Sequence, residues 1–398
     1  MGLTVYQSDT STGWQRLAQA PHRAYFAAGV LSLLAMALWW LISLQLAPGS
    51  HAYPVVMVHA LMMPLGVFPL FMLGFIFTAG PKWLNLPAST RHFPMAIGYL
   101  SGVLLALIGF AHGGSWPVIG LLVMQLVWAI ATLRWLGCLR SSSEADRFHP
   151  SRLLAAMLLG TLVIMLAVLW VRSGDGRLWI QARDAALWGM LLPIFLTVSH
   201  RMLPFFTQSA LPGAAIWRPR FLLDGWLAAC ALLVLSGLLD SPRLTGCVTL
   251  ALSLSLAFTS WRWWQRGVMT NHLLAMLHLS FAWLAPALLL QALSVFGWPV
   301  GAAPAHALAL GFCCTMLVGF VTRVTLGHGG RQLVADSGYW AIYLAMHGVA
   351  ALRVVIALLG LSASWINVVS LLWLAVMIAW ATRILPIYWQ ARQDGKPG

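Results

Sequence analysis

Apolar stretches of about twenty residues recur along this chain from residue 25 to residue 388, with short polar connections between them. An α-helix rises about 1.5 Å per residue, so this is the length that crosses the hydrocarbon core of a bilayer. Inside that core every backbone N–H and C=O has to be bonded within its own segment, which makes helix the fold of each run. Twelve spans are predicted, over 25–45, 55–79, 93–111, 117–137, 151–171, 179–200, 221–239, 244–261, 272–294, 304–326, 339–361 and 364–388. The fold class is therefore all-α, a polytopic membrane protein of about twelve transmembrane helices. Residues 1–24 read as an N-terminal segment, 25–389 as one transmembrane domain and 390–398 as a C-terminal tail, with no room for a soluble domain. Only 8% of the residues are charged, against roughly 25% in soluble proteins. The first apolar run is too long for a signal-peptide core and no cleavage site follows it, so it is expected to stay as the first helix.

The formal charge of +14 would fit a nucleic-acid binder if it were spread over one surface. Its distribution is different. When alternate loops are assigned to opposite sides, beginning with the N-terminus, eighteen Lys and Arg fall on the first side. The second side holds Arg172, Arg177, Arg183 and Arg243, and Arg353 lies within the eleventh span. This is the bias that places basic loops in the cytoplasm, so both termini are expected there and nucleic acid is excluded as a partner. The lipid bilayer is the first partner the sequence specifies.

A faint rhythm runs through the spans. The fourth, eighth and twelfth end in ATLRWLG, TSWRWWQRG and WATRILPIYW. The second, sixth and tenth carry Thr78, Thr197 and Thr322 near their ends. One reading is three four-helix pseudo-repeats; the other is that every helix end on the basic side collects Arg and Trp at the membrane interface. The five cysteines show no metal-ligand spacing, and Cys313 and Cys314, adjacent on one helix, point to different faces and are read as packing residues.

Ionisable side chains within spans are costly in hydrocarbon and mark functional positions by default. His59 sits near the start of the second span and His306 near the start of the tenth, at matched depth roughly 3–6 Å below the outer surface. Arg353 approaches the same level from the other side. Two neutral imidazoles facing each other can supply both axial ligands of a haem iron, and an arginine can bind a propionate bidentately. The competing reading gives each histidine a hydrogen bond to a neighbouring helix. A second set, His200, His278 and His328, lies toward the inner side, with His272 at the boundary and His347 deeper. Imidazole suits copper and iron alike, so these three are candidates for a second metal site; interfacial histidines beside basic loops are the alternative. No carboxylate falls in mid-membrane, which argues against a proton-coupled transporter. Asp175, Asp184, Asp224, Asp240 and Asp336 are all expected at or near helix ends. P-loop, Rossmann and nucleophile-elbow patterns are absent.

The blocks PHRAYFAAG (21–29), HALMMPLGVFPLFMLGFIFTAGPKW (59–83), HRMLPFFT (200–207), LHLSFAWL (277–284), HALALGFCCTMLVGFVTRVTLGHGGR (306–331) and MHGVAALRV (346–354) resemble the signature segments of the NnrS family, in order and over nearly the whole chain. The resemblance implies a bacterial inner-membrane protein that carries haem, expected as haem b, and copper. It also implies a role in the response to nitric oxide and in protection from nitrosative stress. In that family the second-span block usually reads HAHEM. Here His59 is kept while Leu61 and Met62 stand in place of the second histidine and the glutamate.

A looser likeness links the second and tenth spans to the corresponding helices of the haem–copper oxidase catalytic subunit, where each gives one histidine to a low-spin haem near the outer face. His59 and His306 match those positions. Pro304 stands where the oxidase has its high-spin haem ligand, and the copper-binding histidines have no counterpart. This analogy implies one bis-histidine haem and no oxygen-reducing chemistry. A transporter or channel in which the histidines gate a permeation path is the rival class. A redox role, acting on nitric oxide or passing electrons, is the reading carried forward.

Overall fold

A computed structural model describes residues 12–47 and 49–395. The ends of the expected N- and C-terminal segments, and Lys396 of the charge tally, lie outside the described residues. The chain is helical, with no strand among the described residues. A short helix α1 (Gly13–Gln19) is closed by a capping box between Thr12 and Gln15. Twelve helices long and apolar enough to cross a membrane follow: α2 (Pro21–Gln45), α3 (Val55–Trp83), α4 (Phe93–His112), α5 (Trp116–Ser141), α6 (Phe148–Ser173), α7 (Gly176–Ala210), α8 (Arg220–Leu238), α9 (Pro242–Trp263), α10 (His272–Val295), α11 (Ala303–His328), α12 (Ser337–Leu358) and α13 (Ala363–Trp389). The protein is a multi-pass membrane protein.

One expected boundary is corrected. The sixth span was expected over 179–200, yet α7 extends from Gly176 to Ala210. It gains three residues at its start, where Asp175 caps the first turn by accepting from the Arg177 N–H at 2.8 Å, and ten at its end, RMLPFFTQSA, where Arg201 interrupts the apolar run but the helix continues. Asp184, expected at a helix end, therefore lies inside α7, paired with Arg183 at 2.7 Å.

Three helices form the centre. The most apolar windows of α3 and α11 are 89% buried and that of α7 is 78% buried, against at most 61% for any other span. Each of the three is interrupted by a π-helical segment: Met63–Val67 in α3, Ala185–Leu191 in α7 and Ala307–Cys314 in α11. These segments start at residues 63, 185 and 307, an identical offset of 122 residues each time. Interfacial Arg and Trp have no bearing on helix interiors, so this offset favours the three-unit plan over the interfacial account of the sequence rhythm. A π segment widens the helix by one residue per turn and appears mostly where a helix is adapted to a site. In α3 the cause is local, because Pro64 has no N–H to give the regular ladder.

The central helices meet through aromatic rings. Phe195 of α7 lies 5.8 Å from Phe68 of α3 and 5.3 Å from Phe312 of α11, and Phe75 lies 4.7 Å from Phe320. Pairs at these separations add about 0.5–1.5 kcal/mol each beyond their burial. Between them lies an apolar cavity of about 60 Å³ that includes Phe68, Phe195 and Phe320 in its wall. Around the trio the remaining helices pack in sequence, and α13 returns to pack on α2. Small residues permit the tightest approach, between α4 and α5. A Cβ on Gly120 would stand 2.3 Å from the Ala106 nitrogen.

Candidate functional site

The helix starts of α3 and α11 lie at the same end of the bundle, the charge-poor face. His59 is the fifth residue of α3 and His306 the fourth of α11, each within a turn of a π segment. His59 lies within reach of the charges on His306 and on Arg353 of α12, and His306 within reach of that on Arg353.

Their hydrogen bonding is unusual for buried polar groups, most of which are paired. The Nδ1 of His59 is buried and has no partner, and no bond is formed at its Nε2 among the described residues. Its ring is held by Trp40, whose centroid is 3.9 Å away at an interplanar angle of 33°. Trp40 is anchored in turn, its Nε1–H donating to Ser370 Oγ at 3.1 Å. His306 is set differently. Its Nδ1 lies 2.9 Å from the Ala302 carbonyl. A carbonyl only accepts, so Nδ1 carries the proton and Nε2 keeps its lone pair. Arg353 forms no hydrogen bond or ion pair with any described residue.

Leu61 and Met62, standing where the family has His and Glu, are both fully buried apolar side chains. Leu61 brings no ligand atom beside His59, and Met62 brings only a thioether sulfur.

The histidines nearer the charge-rich face do not converge. His200 is fully buried, and its Nδ1 lies 3.0 Å from His149 Nε2. Its own Nε2 lies 3.2 Å from the Pro219 carbonyl and must donate there, so His149 donates to His200. His278 Nε2 lies 2.9 Å from Thr207 Oγ1. His328 packs against His22 with ring centroids 4.7 Å apart, within reach of the charges on Arg23, Lys82 and Arg392. His200, His278 and His328 thus sit in three separate settings, and no three His, Cys, Asp or Glu side chains gather in one place among the described residues. The physical reason is rotational: each histidine faces the neighbour its own helix presents, and sequence position does not fix that direction.

His272 stacks on Trp340 at 4.5 Å, and His347 accepts from Trp283 Nε1–H at 2.9 Å. Sequence reasoning missed His149 and His22 as partners. His149 was placed in a loop, yet α6 begins at Phe148, and His22 was quoted only as part of a motif. It also missed Trp40 and the Ala302 carbonyl. The RFHPSR stretch, with a proline in the first turn position, was the available signal for the first of these.

A scan against family models returns one that matches residues 16–392, described as NnrS protein. The chain belongs to the NnrS family. The match spans α1 to the last residues of the described tail, so both His59 and His306, with their π segments, lie within the NnrS region. No curated protein matches the chain.

Proposed function

We propose that this NnrS-family chain is a membrane haem protein of the nitric oxide response, with His59 and His306 as the axial ligands of one haem b. Family membership supports the role in the nitric oxide response. What supports the haem assignment is a pair of imidazoles near the starts of α3 and α11 at one end of the bundle, one with no partner on either nitrogen and one with its tautomer fixed by a carbonyl. A bis-imidazole haem supplies one-electron chemistry at a potential set by its ligands and its burial. The chain does the remaining work. Trp40 restrains the His59 ring, Ala302 keeps His306 Nε2 unprotonated, and Arg353 provides an unspent guanidinium for a propionate carboxylate. Met62 offers only a thioether beside His59, and His149 Nε2 and His200 Nδ1 are spent on one hydrogen bond, so haem is the group assigned here. The Lys and Arg bias supports a cytoplasmic charge-rich face with both termini, and on this reading the haem would sit near the periplasmic side of a bacterial inner membrane.

The test is a visible absorption spectrum with metal analysis of protein purified from haem-replete cells. A Soret band lost in His59→Ala and in His306→Ala, and kept in His278→Ala, is expected. A colourless parent protein overturns the assignment and leaves a transport role standing.

A further inference from the structure

At the charge-rich face, well away from His59 and His306, the end of α11, the α11–α12 connection and the last turns of α13 enclose a polar cavity of about 370 Å³. That volume lies in the range of small-ligand sites, roughly 300–1,000 Å³. Arg331 and Arg383 both line it, with Asp336, Tyr339, Gln390 and Val334. Two guanidinium groups therefore share a single carboxylate.

The two arginines are held in place but not satisfied. Arg383 donates from Nη2 to Asp336 Oδ2 at 2.5 Å, and its guanidinium lies 4.3 Å over the Tyr339 ring. Gly338 makes room for it, since a Cβ there would stand 2.6 Å from Arg383 Nη1. Arg331 donates from Nη2 to Gln390 Oε1 at 2.5 Å. The Nε–H of each is buried with no acceptor among the described residues. Asp336 pairs with Arg383 through Oδ2, while its Oδ1 caps α12, accepting from the Tyr339 N–H at 2.9 Å. The lining therefore holds two guanidinium groups against one carboxylate, an excess of one positive charge, and planar guanidinium groups match phosphate oxygens best. Val334 at its edge is 63% exposed and Leu333 beside it is 45% exposed, which gives an apolar step next to the charged one. Basic pockets between spans at a membrane face are where phospholipid headgroups dock.

We propose that this cavity binds a phosphate group through Arg331 and Arg383, the phosphate being that of an anionic membrane lipid or a free phosphate. The test uses the full chain in nanodiscs of equal phosphatidylglycerol and phosphatidylcholine, released into native mass spectrometry. A parallel arm titrates delipidated protein in detergent with inorganic phosphate, followed by phosphorus NMR. A retained phosphatidylglycerol that falls about tenfold in Arg331→Gln/Arg383→Gln, the loss expected for one charge-assisted hydrogen bond, and is unchanged in Arg140→Gln/Arg266→Gln on the same face, establishes the lipid. Inorganic phosphate binding with the same arginine dependence, and no retained lipid, establishes a soluble phosphate instead. If the double variant does not fold, Arg331→Gln alone gives the same reading with the Asp336–Arg383 pair intact. Lipid retained at parental level in the variants, or no phosphate species bound in either arm, overturns the site. None of these outcomes depends on haem.

Discussion

The contact between Gly311 and Trp283 gives a direct measure of how tightly the π segment after His306 is held. Gly311 lies inside that segment, and a Cβ placed on it would stand 2.4 Å from Trp283 Cε3 and 2.5 Å from Cδ2. Ordinary contact begins near 3.4 Å, so Gly311→Ala requires the indole to recede by about 1 Å. The indole is not free to do so, because its Nε1–H donates to His347 Nδ1 at 2.9 Å. Overpacking a tight site costs about 1–3 kcal/mol, and stranding the buried His347 nitrogen adds about 1–3 kcal/mol. The expected destabilisation is therefore about 2–6 kcal/mol. The assay is thermal unfolding in detergent, followed by size-exclusion of the soluble fraction, for Gly311→Ala, Trp283→Phe and the double variant. Phenylalanine keeps Cγ and Cδ but lacks Cε3, the atom the new Cβ meets most closely, so Gly311→Ala should cost less in the Trp283→Phe background. Equal cost in both backgrounds would refute the reasoning, because the steric partner would then not be Trp283.

Two further outcomes are expected. His92, just before α4, is 2% exposed, and burial first and the Arg134 charge second push its imidazole down to about 4. The unfolded chain takes up that proton near 6.5, so the contribution is intact above about pH 6.5 and is lost as pH falls toward 4. The thermal midpoint should drop across that window, and less so in His92→Gln; identical profiles would discard the assignment. Gly120→Ala sets a Cβ against backbone atoms of Ala106 and Gly102 at 2.3 and 2.6 Å, whereas Gly137→Ala meets nothing within 4 Å. The first should sharply lower the yield of monodisperse protein, and the second should be neutral or stabilising by about 0.5–1 kcal/mol.

Hydropathy made the spans legible because a bilayer imposes one length and one polarity on every crossing, whatever the neighbours are. Twelve spans and the uneven distribution of Lys and Arg needed nothing else. The sixth crossing was read short because its first turn is held by the Asp175 cap and its last ten residues continue as helix beyond Arg201. Neither of these is an apolar signal. The depth match of His59 and His306 was likewise legible, since depth follows from counting residues along a helix.

Which face each histidine turns was not legible. His200, His278 and His328 all lie toward the charge-rich face, yet their partners are His149, Thr207 and His22, chosen by helix rotation and by neighbours distant in sequence. Nor does the letter string mark the three π segments at 63, 185 and 307, because a widened helix is stabilised by what packs into it. By itself, then, the sequence determined how many times the chain crosses, how its charge is divided between the two faces and how deep each polar group lies. Tertiary structure alone decided which of those groups meet, because hydrophobic burial fixes depth and composition while only packing fixes rotation.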